Sequence, residues 1–342
     1  MIQTEALIIG AGPVGLFQAF QLGLQDIRCH VVDALPQVGG QCVELYANKP
    51  IYDIPGIPLC TGQALIDQLQ QQVKPFAPQF HLQELVSELK ATDDGQWHVQ
   101  TDKGTQFKAA TVFIAAGVGA FVKRGLNLPG FDELLGQQIF HASPNTSSFK
   151  GQHLVILGDS DAALEACAEW RQGPNAAASV TLVHRRDQFQ AEPQAIEDMR
   201  QACANQTMRF VAGQPTGLVQ ANGQLSGLEI LNAQGDTQIL PANTLLLCLG
   251  ISPKLGPLSD WGLAMERKQL PVNTETYGTE ARGIFAVGDI NTYPGKKKLI
   301  LCGFHEATLA AFGALALLRP AEKTLLQYTT TSTLLHKRLG IA

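Results

Sequence analysis

No two of the seven cysteines stand at CxxC spacing, and positions 29, 42, 60, 167, 203, 248 and 302 form no zinc-type cluster. That spacing offers no structural metal site, and with the odd number it fits a reduced cytoplasmic setting. Long hydrophobic runs are also missing. The longest strongly apolar stretch, LAAFGALALL at 309–318, falls short of the roughly 20 residues that a membrane span needs, so a buried helix and no membrane partner are expected. The start, MIQTEALIIG, lacks a basic segment, an apolar segment and a small-residue cleavage site, so secretion is not expected. Positive charge is in deficit, with 25 Lys and Arg against 30 Asp and Glu and a net charge of −5. That balance gives no overall attraction to nucleic acid or to an anionic membrane. Tandem repeats and long low-complexity segments are absent as well.

What is present is a chain of 342 residues, 45% apolar, long enough for two domains each with its own core. Near the start, ALIIGAGPVG runs from an apolar strand through Gly10, Gly12, Pro13 and Gly15 into the helical stretch LFQAFQLGL. The glycines differ in what they permit. Gly10 turns the chain, Gly12 lets the backbone approach a pyrophosphate, and Gly15 lets helix and strand pack closely. The phosphates of a dinucleotide then meet the helix N-terminus. A second strand, RCHVVDA, ends in Asp33, where a carboxylate can accept both ribose hydroxyls.

A second unit of the same kind begins at HLVILG, 153–158, and continues through Gly158, Ser160 and Asp161 into LEACAEW. Its next strand ends in His184, Arg185 and Arg186, where an NAD site usually places an acid. Guanidinium groups there can pair with the 2′-phosphate that distinguishes NADP from NAD. Ser160 stands where the middle glycine belongs, and a Cβ there obstructs backbone approach. Its hydroxyl either compensates or binding is weakened, and both outcomes remain open.

Strands alternating with helices around the two glycine turns predict an α/β fold with two Rossmann-like dinucleotide-binding domains, one inserted in the other. TVFIAAGVGAFVKRGLNLPG reads as the outward crossover and TLLLCLGISPKLGP as the return, giving domains of 1–122 with 249–342, and 123–248. Residues 281–290, ARGIFAVGDI, read as a further buried strand ending in Gly288 and Asp289.

The set IIGAGPVGLF, GGQC, IYDIPG, AAGVGAF, HRRDQF, GIFAVGD with NTYPGKKKLI, and GFHEATLAA resembles the thioredoxin-reductase-like ferredoxin–NADP reductases, which are bacterial FAD flavoproteins. The resemblance spans essentially the whole chain. It implies FAD in the first domain, NADP(H) in the inserted one, and a homodimer. It further implies FAD contacts at Asp33, Gln41, Tyr46, Val86, Phe121, Asp289 and Thr330, with Tyr46 against one isoalloxazine face and Tyr328 over the other. Ferredoxin or flavodoxin is the implied acceptor. Both are acidic, so a local basic patch is expected, with Lys296-Lys297-Lys298 and Lys123-Arg124 as candidates.

Cys42, close behind Gly39 and Gly40, raises the alternative of a disulfide reductase. A glutathione-reductase-type pair needs a second cysteine at position 47, which is Ala47. Thioredoxin reductase carries its CxxC just ahead of the second glycine turn, where this chain reads FHASPNTSSFKG. A single thiol cannot form the usual intramolecular disulfide, so Cys42 is expected to pack beside the flavin. Electrons then leave from the flavin itself, and no catalytic side chain and no metal ligand are expected. Two other readings stand beside this one: a flavin NAD(P)H dehydrogenase using a quinone or another small acceptor, and a flavin-binding sensor that no longer admits NADPH.

Overall fold

The chain divides into two compact units, residues 1–121 with 253–342, and residues 122–252 between them. The structure, a computed structural model, describes residues 1–141, 149–322 and 326–341, and only the backbone of Phe121, Val122, Ile251 and Pro253. The return to the first unit falls at Pro253, a few residues beyond the 249 read from sequence. Thr244–Cys248 belongs to a sheet of the second unit, and Ile251–Lys254 pairs with Ala120–Lys123.

The first unit is built on Ile2–Ile9, whose Ala6–Ile9 half is buried on both faces, as expected of a central parallel strand. Cys29–Asp33 and Gln106–Ile114 flank it in parallel, Gln79–Leu82 extends one side, and Ile284–Ala286 joins Gln106–Ile114 from the chain's second half. Trp97–Thr101 and Val86–Ala91 add an antiparallel meander. Helix α1, Pro13–Leu24, starts with Gly12 at its N-cap and Pro13 in its first turn, where a missing N–H costs nothing. Helices α2, Gln41–Glu44, and α3, Gly62–Val73, follow. The Thr61 hydroxyl caps α3 by accepting from the Ala64 N–H at 3.1 Å.

The second unit has a five-stranded parallel sheet, in the order Ile139–Phe140, Thr244–Cys248, His153–Gly158, Ser179–His184, Arg209–Ala212. Helices α4, Phe131–Leu134, α5, Asp161–Trp170, and α6, Pro193–Ala204, belong to it. Gln214–Ala221, Gln224–Leu231 and Thr237–Pro241 form an antiparallel three-stranded sheet beside it.

Helix α7, Ile300–Leu318, returns to the first unit. It is longer than the apolar stretch read from sequence, and it has the length and apolar composition that a membrane span also has. Gly303, Glu306, Ala307, Ala310, Ala311 and Ala314 form its buried side, which packs along α1. Small residues at this spacing let two helices approach closely. Helix α8, Thr333–Leu339, is the last element described, with Leu335 buried beneath it.

Candidate functional site

A cleft of about 290 Å³ opens in the first unit beside the strand ends at Ile9, Asp33 and Ile114. The three glycines of its turn meet different constraints. Gly10 has φ +110, and a Cβ there would sit 2.4 Å from the Ala115 carbonyl oxygen. A Cβ on Gly15 would fall 1.9 Å from the Gly10 oxygen. At Gly12 it would meet no atom within 4 Å, so this backbone is bare toward the cleft at the N-terminus of α1. Such a cradle fits a pyrophosphate.

Asp33 closes the turn from the end of its strand. Its Oδ2 accepts the Ala11 N–H at 2.6 Å and its Oδ1 accepts the Leu35 N–H at 2.8 Å. Each oxygen keeps further lone-pair capacity for a ribose hydroxyl. Burial pushes this carboxyl up, and the two N–H donors pull against that.

Gln41, Tyr46, Val86 and Asp289 all line the same cleft. Val86 is also part of the apolar core, so it serves both purposes. Cys42 is fully buried among Leu16, Ile54, Cys60 and Leu65, and its thiol donates to the Tyr46 hydroxyl at 3.5 Å. Burial pushes the Cys42 thiol up, and burial together with Cys42 does the same to Tyr46. All seven cysteines are free. The Phe121 side chain lies outside the described residues, as does most of the stretch between Phe140 and Gly151.

One expectation is corrected, and two residues stand apart from this cleft. Tyr328 and Thr330 are not among its lining residues, and Tyr328 is 64% exposed. Their segment leads into α8, where Arg338 donates to the Leu24 carbonyl at 2.6 Å, at the C-terminal end of α1. The cleft lies at the other end of that helix, about 18 Å away for 12 residues. Lys296 is not a docking cation: its side chain is 7% exposed and pairs with Glu306, itself 0% exposed. Sequence reading missed Glu306, although a lone acid inside an apolar helix signals a buried partner. Lys297 and Lys298 are exposed, and Lys298 reaches the cleft lining together with Trp261, which was also missed.

In the second unit a cleft of about 360 Å³ lies beside the turn before α5. Gly158 repeats Gly10, with φ +156 and a hypothetical Cβ 2.5 Å from the Cys248 oxygen. Ser160 stands at the N-cap position of α5 with φ −99, a conformation open to any residue, and lines this cleft with Lys123, His141 and Glu165. Its substitution for glycine therefore strains nothing and alters only what faces a ligand. Asp161 is occupied by the protein, since its Oδ1 accepts the Glu192 N–H at 2.7 Å.

His184 lies between Asp159, 3.6 Å from Nε2, and the Arg186 carbonyl, 3.0 Å from Nδ1. Arg185 and Arg186 are exposed and, among the described residues, have no ion-pair partner. The neighbouring Asp187 would neutralise them, but Arg200 holds it with two bonds of 2.9 and 2.5 Å. Two uncompensated guanidinium groups thus end the strand next to the glycine turn, a pattern suited to a phosphate.

Two turns of this kind, each opening a helix from a parallel sheet, define an α/β protein built around two dinucleotide-type sites. The pyridine nucleotide-disulphide oxidoreductase family model matches residues 4–308. A ferredoxin–NADP reductase from Polaromonas sp. (strain JS666) is 52% identical over 99% of this chain and 93% of its own length. One from Paracidovorax citrulli is 54% identical over 100% and 97%. The bacillithiol disulfide reductase Bdr from Staphylococcus aureus shares the fold, with a TM-score of 0.59 at 17% identity over 92% of this chain and 99% of that one. The chain belongs to the pyridine nucleotide-disulphide oxidoreductase family and, within it, to the thioredoxin-reductase-like ferredoxin–NADP reductases.

Proposed function

We propose that this chain is an FAD-dependent ferredoxin–NADP(+) oxidoreductase that carries electrons between NADPH and ferredoxin or flavodoxin without a redox disulfide. The observation that carries this reading is the bare N-terminus of α1 at Gly12, joined to Asp33, in a chain more than half identical to ferredoxin–NADP reductases over its full length. Bound FAD would supply the exchange between a hydride and single electrons. The chain's own residues bind and orient. Gly12 and Pro13 present the helix end to the pyrophosphate, Asp33 receives the ribose, and Gln41, Tyr46 and Asp289 border the flavin end. NADP(H) is assigned to the turn of Gly158 and Ser160, with Arg185 and Arg186 on the 2′-phosphate and His184 fixing the backbone of Arg186.

Acidic partners would meet Lys297 and Lys298 of the first unit or Lys123 and Arg124 of the second, since Lys296 is unavailable. The working form is a homodimer in the cytoplasm, off the membrane. Tyr328, exposed and away from its own cleft, is free to contact the second copy.

The test is anaerobic addition of NADPH to the purified yellow protein, followed by steady-state reduction of a cognate ferredoxin. Bleaching of the flavin band and turnover that weakens as salt rises are expected. Turnover with no one-electron protein acceptor would overturn the assignment, and a yellow protein that NADPH fails to bleach would favour the sensor.

A further inference from the structure

The first unit contains a buried charged network that the proposed function leaves unused. Glu306 and Lys296 meet at 2.5 Å inside the protein. Both also converge on one residue: the Gly288 N–H donates to Glu306 Oε2 at 2.7 Å, and the Gly288 carbonyl accepts from Lys296 Nζ at 2.9 Å. Asn291 Nδ2 donates to the same Oε2 at 2.8 Å, and the Tyr293 hydroxyl donates to Oε1 at 3.0 Å. The Lys296 ammonium stands 5.4 Å from the centre of the Tyr293 ring. Gly288 has φ +81, and it and Asp289 line the cleft.

An isolated buried ion pair stabilises a fold no better than apolar packing of the same volume. This one does what apolar packing cannot, because it grips both polar groups of a single residue with full charges of opposite sign. The turn that presents Asp289 is thereby held from behind. The two charges also balance behind the Gly288–Asp289 wall of the cleft, so removing one leaves the other uncompensated just behind whatever is bound there.

We propose that Lys296 and Glu306 are a positioning pair that fixes the Gly288–Asp289 turn against the flavin and whose charge balance sets the flavin's potential. This rests on assigning FAD to the first cleft.

The experiment compares the holoprotein with K296M, E306Q and the double variant. It measures the loss of FAD on dilution by flavin fluorescence, and the two-electron midpoint by dye equilibration. Both single variants should hold FAD about tenfold or more less tightly. In E306Q the ammonium keeps the Gly288 carbonyl and the Tyr293 ring and now stands uncompensated. It favours the more negative, reduced flavin, and raises the midpoint by about 30 mV for a tenfold change in relative affinity. K296M should move the midpoint the other way by a similar amount. The double variant, with no buried charge, should lose FAD more readily yet keep the wild-type midpoint.

Single variants that shift the midpoint in one direction, or not at all with flavin bound, would overturn the proposal. If neither folds, the double variant decides, and unchanged FAD affinity there overturns it. Wild-type protein that binds no FAD would instead defeat the flavin assignment itself.

Discussion

Gly12 and Gly15 stand three residues apart and tolerate change very differently. An added Cβ at Gly12 meets no protein atom, and its φ of −70 suits any residue. Gly12→Ala should therefore leave the thermal midpoint of the flavin-free protein nearly unchanged while FAD affinity falls at least about tenfold, through lost approach to the pyrophosphate. Gly15→Ala drives a methyl into the Gly10 carbonyl and should cost about 3 kcal/mol or more, seen as loss of soluble folded protein. The cysteines allow a second test at this scale. Cys42→Ser keeps a donor for the Tyr46 hydroxyl, so NADPH-dependent reduction of ferredoxin should stay within about twofold of wild type, whereas a disulfide reductase would lose its reaction. Burial pushes the Cys29 thiol up to about 12 from an ordinary 9.0. The folded state thus holds this proton more tightly than the unfolded chain does. The resulting stability is fully present below pH 9 and is lost as pH rises from 9 toward about 12. Urea midpoints should fall more steeply over that window in wild type than in Cys29→Ala.

The elements that sequence made legible are those whose physics is local. Gly10, Gly12, Gly15 and Asp33 lie within one strand–helix–strand unit, and each answers to a turn, a close approach or a cap that neighbours in the chain dictate. The pairing of Lys296 with Glu306 was not legible. A run of three lysines reads as a solvated loop, and only the packing of α7 against α1 brings a carboxylate beneath the first of them. The place of Tyr328 was not legible for a related reason: it follows from where α8 docks, and that depends on contacts some 300 residues apart in sequence. Arg338 donates to the Leu24 carbonyl and reaches Asp26, while Arg319 donates to the Gln25 and Asp26 carbonyls, both at 2.8 Å. Two guanidinium groups thus satisfy carbonyls that the end of α1 leaves without helical partners. Arg338→Ala should free α8 locally. Amide exchange over 333–339 should accelerate by about tenfold or more while the core strands keep their protection, and hydrogen-exchange mass spectrometry reads both.

At the scale of the whole chain, the two units carry separate cores and separate ligand-facing turns, so cofactor retention and nucleotide choice should be separable by mutation. The groups assigned to the 2′-phosphate, Arg185 and Arg186, belong wholly to the second unit and contribute nothing to the cleft of the first. Charge-assisted hydrogen bonds are worth about 1.5–3 kcal/mol each, so the arginines can favour NADPH over NADH from about tenfold, with one such bond, to well over a thousandfold with two. Replacing both with alanine should erase that preference, seen in kcat/KM for the two nucleotides, while NADH turnover and FAD content stay near wild type. Arg200→Met sharpens the test without touching either arginine. It releases Asp187, which is then free to neutralise them, so the NADPH preference should fall although both guanidinium groups remain. An unchanged ratio in the double alanine variant would move the 2′-phosphate elsewhere, and an unchanged ratio in Arg200→Met alone would mean that Asp187 stays turned away without its partner.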